Sequence, residues 1–493
     1  MERSQTLTQL LKQIPFCAVE GPTDRVITGL NSNSKTVAPG HLFIAKQGLS
    51  AHGAQFIPSA VAQGAVALLV DAYYPAFPEV TQLIYPDVPS MEALLARAFY
   101  DHPQDKLFLV GITGTNGKTT TSYLVRHLLG ECGLIGTVEQ CIGSQSFPST
   151  HTTPDVLQNY SLFHEMVKAR CDSCVMETSS HALHQGRLRS ILFDVAVFTN
   201  LTQDHLDYHS TMQEYAEAKA LLFTSLKAGS TAVVNADSPY SDLMIKSCST
   251  QCIRYGIEAP CDLKASDLHL HSSGTAFTLS YKEKKCTFTS PLIGRYNVYN
   301  LLAAMGVGLA RGLNLECMAT KLESFINVSG RLESVPNAKG LNIYVDYAHT
   351  DDALKNVLQT LQEIKKGRLI TVFGCGGNRD PHKRPKMGAV VEELSDVTLI
   401  TSDNPRTENP QEIIRQILAG LKQPGEALVI EDRKRAIEHA IQMTTPEDIV
   451  LIAGKGHEKV QLCGSTTFPF DDKSVASAAC RITKEEEEKI TRY

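Results

Sequence analysis

The segment GITGTNGKTT at 111–120 stands between a predicted strand and a predicted helix. Glycines allow backbone N–H groups to face phosphate oxygens, and the amino terminus of the helix adds a favourable positive potential. The pattern predicts that Lys118 binds the outer phosphates of a nucleoside triphosphate and that the Thr119 hydroxyl ligates Mg²⁺. The glycines are spaced G-x-x-G-x-x-G-K-T, because Ile112 occupies the first glycine position of the usual G-x-x-x-x-G-K-[ST] loop. We therefore expect nucleoside triphosphate binding here.

A phosphate loop alone is compatible with a kinase, a switch GTPase, a motor or an ATP-driven ligase. In switches and motors, the next apolar strand usually ends in an Asp that binds the metal. Here the predicted strand SCVME ends in Glu177, and Thr-Ser-Ser-His follows. Glu can supply an oxygen ligand to Mg²⁺ as Asp does. The alternative is that Glu177 caps the following helix.

The elements that must position this loop predict an α/β protein of three domains. The length of 493 residues is typical of about three domains. Apolar runs alternate with helical patterns, which is typical of parallel sheets covered on both faces. We expect a small α/β domain over 1–103, a central P-loop parallel-sheet ATPase domain over 104–329, and a Rossmann-like domain over 330–493. The predicted strands are a run from 107 and the segments 42–45, 65–70, 173–176, 195–199, 231–234, 342–346, 369–373, 397–401 and 449–453.

Composition excludes several classes of protein. Hydrophobic residues make up 43% and charged residues 20%, so disordered and fibrous chains are excluded. The net charge of -6, without a long basic stripe, argues against a nucleic-acid binder. No apolar run approaches the roughly 18 residues of a membrane span, and the amino-terminal segment lacks the pattern of a secretory signal. The scattered cysteines, with one C-x-x-C at Cys171 and Cys174, favour free thiols and a cytoplasmic protein over metal or redox use.

Motifs along nearly the whole chain resemble the Mur ligases, which are ATP-dependent amide-forming enzymes of peptidoglycan precursor synthesis. Besides the phosphate loop, these motifs are HTTPD at 151–155, ETSSHALHQGRL at 177–188, TNLTQDHLDYH at 199–209, EYAEAKALLF at 214–223, GRYNVYN at 294–300, GRLE at 330–333, DYAHTDDAL at 346–354, FGCGGNRDPHKRPKMG at 373–388, DNPRTENP at 403–410 and AGKGHE at 453–458. Their order and number make coincidence untenable.

The resemblance implies that ATP phosphorylates a carboxylate and that an amine attacks the resulting acyl phosphate. It implies catalytic roles for Lys118, Glu177, His205 and Lys219. Lys219 is implied to be a carbamate that binds a second Mg²⁺, and the implied metal ligands are Thr119, Glu177, His205 and this carbamate. From the residues alone, His205 would be a loop histidine and Lys219 an exposed helix lysine. The implied ATP-binding residues are Gly114, Thr115, Asn116, Gly117, Lys118, Thr119, Thr120, Asn300, Arg331 and Asp346. Arg331 is expected to reach the phosphates from the third domain.

The segment Asp403, Asn404, Pro405 and Arg406 resembles the motif of family members that add meso-diaminopimelate. Lysine-adding relatives have no Arg at its last position. Diaminopimelate has a second carboxylate that suits the fork of an arginine, whereas lysine ends in an ammonium that an arginine repels. The implied activity is ligation of meso-diaminopimelate to UDP-N-acetylmuramoyl-L-alanyl-D-glutamate.

The resemblance also implies two sets of substrate contacts. Those for diaminopimelate are Arg379, Asp403, Asn404, Pro405, Arg406, Gly454 and Glu458. Those for the UDP-muramoyl-dipeptide are Ser32, Ser34, Leu49, Ser50, Ala51, Thr152, Thr153, Ser179, Gln185 and Arg187. The sequence departs from the family pattern at Asn33, Lys35 and His52 in the uridine pocket, and at Asp351.

Three alternatives remain beside this interpretation. A lysine-adding ligase on the same scaffold is disfavoured by Arg406. A folylpolyglutamate synthetase shares the phosphate loop and the amide chemistry but has no DNPR motif or uridine-pocket domain. A nucleotide-operated switch would not need an acceptor pocket with Arg379, Arg406 and Glu458. We further expect a monomer without a nucleic-acid or membrane partner, and a solvated helix end at the acidic segment 484–489.

Overall fold

The structure, a computed structural model, describes residues 4–15, 17–48 and 51–481. Leu49 and Ser50, which are implied in the nucleotide-sugar pocket, lie outside the described residues, as does the acidic segment at 484–489. Sheets of five, eleven and six strands follow one another along the chain. Among the described helices, none has the length and apolar character needed to cross a membrane.

The amino-terminal part forms the five-stranded sheet. The elements of this part of the chain are β1 Gln5–Thr6, α1 Leu7–Leu11, β2 Ala18–Glu20, β3 Val26–Ile27, β4 Gly29–Asn31, β5 His41–Ile44, α2 Ile57–Ala62, β6 Ala67–Val70, β7 Thr81–Ile84 and α3 Val88–Phe99. Strands β1 and β3 pair with each other outside the five-stranded sheet. The strand order is β2-β7-β6-β5-β4, with β4 to β7 parallel and β2 antiparallel to β7. The carboxyl ends of β4 and β5 therefore lie side by side at one edge of the sheet.

The central part forms the eleven-stranded sheet. Its strands are β8 Phe108–Thr113, β9 Cys132–Ile135, β10 Glu139–Ile142, β11 Gln145–Pro148, β12 Ser173–Glu177, β13 Phe193–Phe198, β14 Leu226–Asn235, β15 Gln251–Gly256, β16 Leu263–His271, β17 Gly274–Tyr281 and β18 Lys284–Ser290. Its helices are α4 Lys118–Leu129, α5 Val156–Lys168, α6 Ser180–His184, α7 Leu206–His209, α8 Met212–Thr224, α9 Ser241–Lys246, α10 Arg295–Ala310 and α11 Leu315–Glu323.

In this sheet, β8 lies between β12 and β13. The predicted parallel arrangement is confirmed across the strands from β9 to β16. The strands at both edges, β10 and β11 on one side and β17 and β18 on the other, are antiparallel. These four strands were not predicted, and neither were β9, β15 and β16. Strands β8 and β12 are buried almost throughout, as expected of strands covered by helices on both faces.

Helix α10 explains why the sequence carries so many small residues near 300–311. Most of its residues are buried, so the helix lies inside the protein rather than on its surface. A Cβ added at Gly306 would lie 2.5 Å from the Cγ1 atom of Val233, and one at Gly308 would lie 2.2 Å from the sulfur of Met318. The glycines thus let α10 approach β14 and α11 closely.

The carboxy-terminal part forms the six-stranded sheet. Its elements are β19 Glu333–Ser334, β20 Asn342–Asp346, α12 Asp351–Ile364, β21 Leu369–Phe373, α13 Lys383–Leu394, β22 Val397–Ile400, α14 Pro410–Leu418, β23 Leu428–Val429, α15 Arg433–Gln442, β24 Ile449–Ala453, β25 Val460–Cys463, β26 Thr466–Pro469 and α16 Asp472–Ala479. The order is β19-β20-β24-β21-β22-β23, and every pair except β19 with β20 is parallel. Strands β25 and β26 form a separate hairpin.

A fully buried ion pair joins α15 to α16 behind the end of β24. Arg433 donates from Nε and Nη2 to the two carboxylate oxygens of Asp472, at 2.7 Å each, and both side chains are 0% exposed. Nη2 also donates to the carbonyl of Ala453 at 2.9 Å. The pair therefore supports the strand end that leads into the AGKGHE motif.

Removal of one partner from this pair should destabilise the carboxy-terminal part strongly. We expect Asp472→Asn to lower the free energy of unfolding by about 3–5 kcal/mol, because it leaves a buried guanidinium without its counter-charge. Calorimetry would show a lower unfolding midpoint. Glu412→Gln, which removes the acid of the exposed pair with Arg415, is the control and should leave the midpoint in place. An unchanged unfolding midpoint for Asp472→Asn would contradict the stabilising role of this ion pair.

Candidate functional site

The phosphate loop follows β8 and ends where α4 begins at Lys118. Gly117 has a φ of +84°, and a Cβ there would lie 2.4 Å from Oδ1 of Asn300. A Cβ at Gly114 would lie 1.9 Å from the Thr199 hydroxyl. Side chains at these two positions would displace the loop, so the glycines are required by close approach. The amino terminus of α4 is thus held against β13 and α10.

Three basic groups surround the loop. The Lys118 ammonium donates to the carbonyls of Gly114 and Thr115, at 2.8 Å each. The Lys219 ammonium donates to the same Gly114 carbonyl at 2.9 Å. Arg331, from the carboxy-terminal part, places Nη2 at 3.4 Å from the Thr119 hydroxyl. The positive groups of Lys118 and Arg331 at a helix amino terminus suit a polyphosphate.

Burial changes the acid–base behaviour of both lysines. It lowers the pKa of Lys118, with Glu177 and Asp204 acting in the opposite direction and Arg331 in the same one. Burial also lowers the pKa of Lys219 well below its usual range, the charge of Lys118 lowers it further, and Asp204 opposes both. An amine with a depressed pKa is neutral more of the time and hence a better nucleophile.

Lys219 lies inside the protein, contrary to what the bare helix pattern indicates. Its side chain belongs to the buried face of α8 and is 1% exposed. The ammonium lies 4.4 Å from the centre of the Tyr215 ring. Because a buried lysine needs a partner or a neutral form, this placement separates Lys219 from an ordinary surface lysine.

Glu177 ends β12 and is 0% exposed. Its Oε2 atom accepts from the hydroxyls of Thr119 and Thr137, each at 3.0 Å, and Oε1 accepts from the Thr137 backbone N–H at 2.9 Å. The capping alternative is wrong, because Ser179 caps the next helix by accepting from the Ala182 N–H. Thr137 was not predicted, and its position between two short strands gives no motif by which to find it.

His205 lies at the start of α7 with a φ of +53°. Its ring is 4.8 Å from that of His181 and 5.9 Å from that of Tyr215, on which His209 stacks. Burial and the neighbouring histidines lower the pKa of His209 to about 4, so that imidazole is neutral at pH 7. The Tyr215 ring is therefore a neighbour of both His205 and Lys219.

The oxygen donors near the phosphate loop have the chemistry that Mg²⁺ prefers. Thr119 supplies a hydroxyl and Glu177 a carboxylate in direct contact with one another. Throughout the part of the chain that the structure describes, no group of three or more His, Cys, Asp or Glu side chains forms a ready metal cluster. The unmodified residues therefore offer oxygen ligands but leave coordination to be completed by other groups, such as phosphate oxygens.

A cavity of about 570 Å³ joins the central and carboxy-terminal parts. Its lining brings together these predicted residues: Thr115, Asn116, Gly117, Lys118, Thr119, Thr120, Thr152, Glu177, Ser179, His205, Asn300, Arg331 and Asp346. Gly114 is not part of the lining but accepts from both lysines. The volume lies within the range of small-molecule sites. Residues implied for ATP and for the muramoyl peptide thus face one space.

Asp346 and Asp352 tie the carboxy-terminal part to this cavity. Asp346 accepts from the N–H groups of Leu332 and Ala348, at 2.6 and 2.7 Å, which fixes the segment next to Arg331. Burial raises the pKa of the Asp346 carboxyl, while Arg331 and these N–H groups lower it. Asp352 accepts from the Asn116 amide at 3.1 Å and so contacts the phosphate loop. Asp352 was not predicted, although it stands inside the DYAHTDDAL motif.

The residues implied for the muramoyl peptide form one chain of contacts that starts at Glu177. Thr152 contacts the Thr137 hydroxyl at 3.0 Å, and the Thr153 hydroxyl donates to the Glu177 carbonyl at 2.7 Å. Arg187 donates to the Thr153 carbonyl at 3.0 Å. The set is completed by the Ser179 N–H, which donates to Thr153 at 3.0 Å, and by Gln185, whose Oε1 accepts from Arg187 at 2.7 Å.

The residues implied for the amino acid meet where β21, β22 and β24 end. Ligand sites of open α/β sheets typically lie at such carboxyl edges. Arg406 donates to the Gly377 carbonyl at 2.8 Å. A Cβ at Gly376 would lie 3.0 Å from Nη1 of Arg406 and 3.8 Å from Cγ of Arg379, so both arginines flank this glycine. A side chain at 376 would enter the space between them.

The other side of this cluster carries the acidic groups. A Cβ at Gly454 would lie 2.8 Å from Oδ2 of Asp403, so the glycine leaves room for that carboxylate. The Asn404 amide donates to Glu458 at 2.8 Å. The backbone of Pro405 packs against Gly377, where a Cβ would lie 1.9 Å from the Pro405 carbonyl oxygen. All seven implied residues are thus brought together.

The cluster of residues implied for the amino acid and the cavity adjoin each other through Tyr347. Its ring lies 4.9 Å from the Arg331 guanidinium and 5.0 Å from the His457 ring. A Cβ at Gly330 would lie 2.2 Å from the His457 backbone nitrogen, so the GRLE and AGKGHE segments are in direct contact. Groups bound on the two sides of Tyr347 would therefore be neighbours.

The described residues implied for the uridine end, Ser32, Ser34 and Ala51, lie elsewhere, at the edge of the amino-terminal sheet. Ser32 and the buried Ser34 follow β4, and Ala51 follows β5 and accepts from the Gly48 N–H at 2.9 Å. They are not part of the cavity lining. Two departures from the family pattern serve as helix caps, because the Asn33 side chain accepts from the Lys35 N–H and the His52 ring accepts from the Ala54 N–H. Lys35 itself is exposed.

The remaining departure is Asp351, where the family has a proline. Thr350 caps α12, so Asp351 is the first residue of the helix and its acid lies in the first turn. Proline is favoured at that position by its fixed φ, and an acid is favoured by the helix dipole. The replacement therefore preserves the start of α12.

Comparison with known proteins gives matches along most of the chain. The Mur ligase family, catalytic domain, matches residues 26–100, the Mur ligase middle domain matches 112–308, and the Mur ligase, glutamate ligase domain, matches 330–456. A UDP-N-acetylmuramoyl-L-alanyl-D-glutamate–2,6-diaminopimelate ligase of Geobacillus kaustophilus (strain HTA426) is 41% identical over 96% of this chain and 99% of its own. The ligase of the same name from Gloeobacter violaceus is 44% identical over 92% of this chain and 94% of its own.

Solved structures agree with this relationship. A structure of a UDP-N-acetylmuramoyl-L-alanyl-D-glutamate–2,6-diaminopimelate ligase has a TM-score of 0.71 at 33% identity, covering 97% of this chain and 99% of its own. MurF ligase from Thermotoga maritima in complex with ADP has a TM-score of 0.61 at 20% identity, covering 94% and 98%. A folylpolyglutamate synthase of Mycobacterium tuberculosis has a TM-score of 0.61 at 17% identity, covering 79% and 94%. The last two show the shared fold alone.

Proposed function

This chain belongs to the Mur ligase family and is an ATP-dependent ligase, and on that premise we propose that it joins meso-2,6-diaminopimelate to UDP-N-acetylmuramoyl-L-alanyl-D-glutamate. One observation carries the proposal. The cavity with the phosphate loop adjoins, across Tyr347, the cluster of side chains that includes Arg406, Arg379 and Glu458. A nucleotide-operated switch would need the cavity and not the cluster.

The first step makes a poor electrophile reactive. A carboxylate oxygen of the glutamate residue attacks the γ-phosphorus of ATP, and the bond from that phosphorus to the β-γ bridging oxygen breaks as ADP leaves. The protein contributes position and charge neutralisation to such a transfer. Lys118 and the α4 amino terminus would hold the β- and γ-phosphates. Arg331 would neutralise charge on the transferred group from the opposite side of the cavity.

The second step forms the amide. The neutral amine of diaminopimelate attacks the acyl carbon, giving a tetrahedral intermediate that expels phosphate and loses a proton. Water must not reach the acyl phosphate before the amine does. The contacts of Arg331 with Thr119 and of Asp352 with Asn116 support a closed arrangement that excludes water.

We propose Mg²⁺ as the metal of this site. When bound, it supplies neutralisation of phosphate charge, and Thr119, Glu177, His205 and Lys219 as a carbamate are the residues that would hold it. Addition of carbon dioxide to the neutral Lys219 amine forms a C–N bond and releases a proton. The product is anionic and carboxylate-like, which would give this buried position the charge that a metal needs.

The amino-acid pocket supports diaminopimelate over lysine. Diaminopimelate presents a carboxylate and an ammonium at its distal end, and Arg406 with Glu458 offers a counter-charge for each. Lysine presents the ammonium alone, and Arg406 would then face no anion. We further propose Ser32, Ser34, Leu49, Ser50 and Ala51 for the uridine end, and Thr152, Thr153, Ser179, Gln185 and Arg187 for the muramoyl peptide.

Several features of the whole chain stay proposals. These are the domain limits at 103/104 and 329/330, a cytoplasmic location and a monomeric state. The sheets of the structure lie within the proposed limits. Size-exclusion chromatography with light scattering would test the monomer.

Arg406→Lys tests the choice of amino acid. We expect kcat/KM for meso-diaminopimelate to fall by about tenfold or more, because a point charge cannot replace the planar fork of a guanidinium. The kcat/KM values for ATP and for the nucleotide sugar should stay near those of the wild type. Arg415→Lys, on the exposed face of α14, is the matched control. If diaminopimelate kinetics were unchanged in Arg406→Lys, another residue would have to bind the distal carboxylate.

A further inference from the structure

Lys455 is a lysine without solvent exposure that lies beneath the proposed amino-acid pocket. It follows Gly454, and its side chain is 0% exposed. Its ammonium donates to Oδ1 of Asn404 at 3.0 Å and lies 3.3 Å from Oε2 of Glu458. A buried cation is tolerated when it is paired and hydrogen-bonded. Lys455 therefore contacts two residues of the pocket at once, although it is not among the residues implied to contact diaminopimelate.

The contact fixes the orientation of the Asn404 amide. Oδ1 of Asn404 accepts from the Lys455 ammonium and from the Leu462 N–H, both at 3.0 Å. Because two donors hold the oxygen, the NH₂ group must point the other way, where it donates to Glu458 at 2.8 Å. Oε2 of Glu458 thus receives one donor from Asn404 and one from Lys455. Loss of the ammonium would leave Asn404 Oδ1 with the Leu462 N–H and Glu458 with the Asn404 amide, so each side chain would be held less firmly.

The contact also sets the charge of the pocket. Among the residues implied for this pocket, Asp403 and Glu458 are acids and Arg379 and Arg406 are bases, and Lys455 adds a further base beneath them. The nearby Arg384 and Glu408 pair with one another. The distal end of diaminopimelate is neutral overall, since it carries one positive and one negative group. The distal end of lysine is a cation. Removal of the Lys455 charge would leave Glu458 less compensated, and the pocket would then attract a cation more strongly.

We propose that Lys455 is a positioning residue that holds Asn404 and Glu458 in place and biases the pocket toward a zwitterionic rather than a cationic amino-acid end. This inference rests on the proposed function, because it presumes that the pocket binds diaminopimelate. Lys455 acts through its two neighbours and does not need to touch the substrate.

Lys455→Met tests the proposal, since methionine fills similar space without charge or donor. We expect KM for meso-diaminopimelate to rise by about tenfold or more, as for loss of one partner of a buried charge pair. KM for ATP and for the nucleotide sugar should stay within about twofold, because these substrates would bind elsewhere. The ratio of kcat/KM for lysine to that for diaminopimelate should rise by about tenfold. Lys459→Met, at an exposed position on the same loop, is the matched control.

A second variant separates position from charge and guards against loss of folding. Lys455→Gln keeps a donor for Asn404 but removes the charge. Its KM for diaminopimelate should therefore lie between those of the wild type and of Lys455→Met, while the raised ratio of kcat/KM for lysine to that for diaminopimelate should persist. Unchanged KM and unchanged amino-acid preference in both variants would overturn the proposal, as would an equal rise in KM for all three substrates. If the wild-type enzyme itself ignored diaminopimelate, the proposed function would fail instead.

Discussion

Arg331→Ala is expected to lower kcat by about a thousandfold, the effect of an arginine that neutralises charge in phosphoryl transfer. Arg331 belongs to the carboxy-terminal part, yet its Nη2 lies 3.4 Å from the Thr119 hydroxyl of the phosphate loop. Its guanidinium also lies over Tyr347, and its buried Nε has no hydrogen-bond partner among the described residues. The side chain is thus held at the cavity with donors to spare.

The measurement is phosphate release at saturating ATP, nucleotide sugar and diaminopimelate, together with ATP affinity by calorimetry. Since Lys118 and the α4 amino terminus would still bind the nucleotide, affinity should fall far less than kcat. Arg295→Ala, at the exposed start of α10 where the arginine pairs with Glu258, is the control. Retained turnover together with unchanged ATP affinity would count decisively against the role of Arg331.

Lys219→Met is expected to lower turnover by about a hundredfold or more, a loss comparable to removal of one preorganised charge-stabilising group. Lys219 is 1% exposed, donates to the Gly114 carbonyl and lies next to Tyr215. Burial lowers its pKa well below the usual lysine range, so the amine is available to react with carbon dioxide. A methionine would fill the space but could not form the carbamate.

The carbamate itself is best tested through bicarbonate. Wild-type activity should fall after prolonged dialysis against buffer without carbon dioxide and return when bicarbonate is added, whereas Lys219→Met should not respond. Reactivation should slow as the pH falls through the lowered pKa of Lys219, because the protonated amine is not a nucleophile. Lys246→Met, at an exposed position on α9, is the control. A fully active Lys219→Met would exclude the modification as a requirement.

Local patterns in the sequence were sufficient for the four central strands of the carboxy-terminal sheet but not for its edge strands β19 and β23. The segments 342–346, 369–373 and 449–453 were predicted with the bounds that the structure has. These strands are covered on both faces, so each is an apolar run that ends at a polar residue or glycine. In the central sheet, β9, β15 and β16 were missed, as were the edge strands β10, β11, β17 and β18, whose half-buried and exposed residues weaken the apolar pattern.

Contacts between distant segments could not be predicted in this way. Thr137 and Glu177 are 40 residues apart, and only the pairing of β9 with β12 brings them together. Lys455 is three residues from Glu458, but its burial depends on Asn404, 51 residues earlier. The burial of Lys219 follows from the packing of α8 against the phosphate loop rather than from its helical spacing. The resemblance to the family supplied Lys219 and His205, whose own patterns indicate surface or loop residues.

The most direct test of the central claim is phosphate release from ATP in the presence of the UDP-muramoyl-dipeptide, with no amino acid, with meso-diaminopimelate or with lysine. Together, the arginine fork at 406 and the adjoining phosphate cavity predict release that depends on meso-diaminopimelate and responds little to lysine. Release that responds to lysine and ignores meso-diaminopimelate would contradict the assigned amino acid. Phosphate release that needs neither amino acid would contradict the assignment of the protein as a ligase.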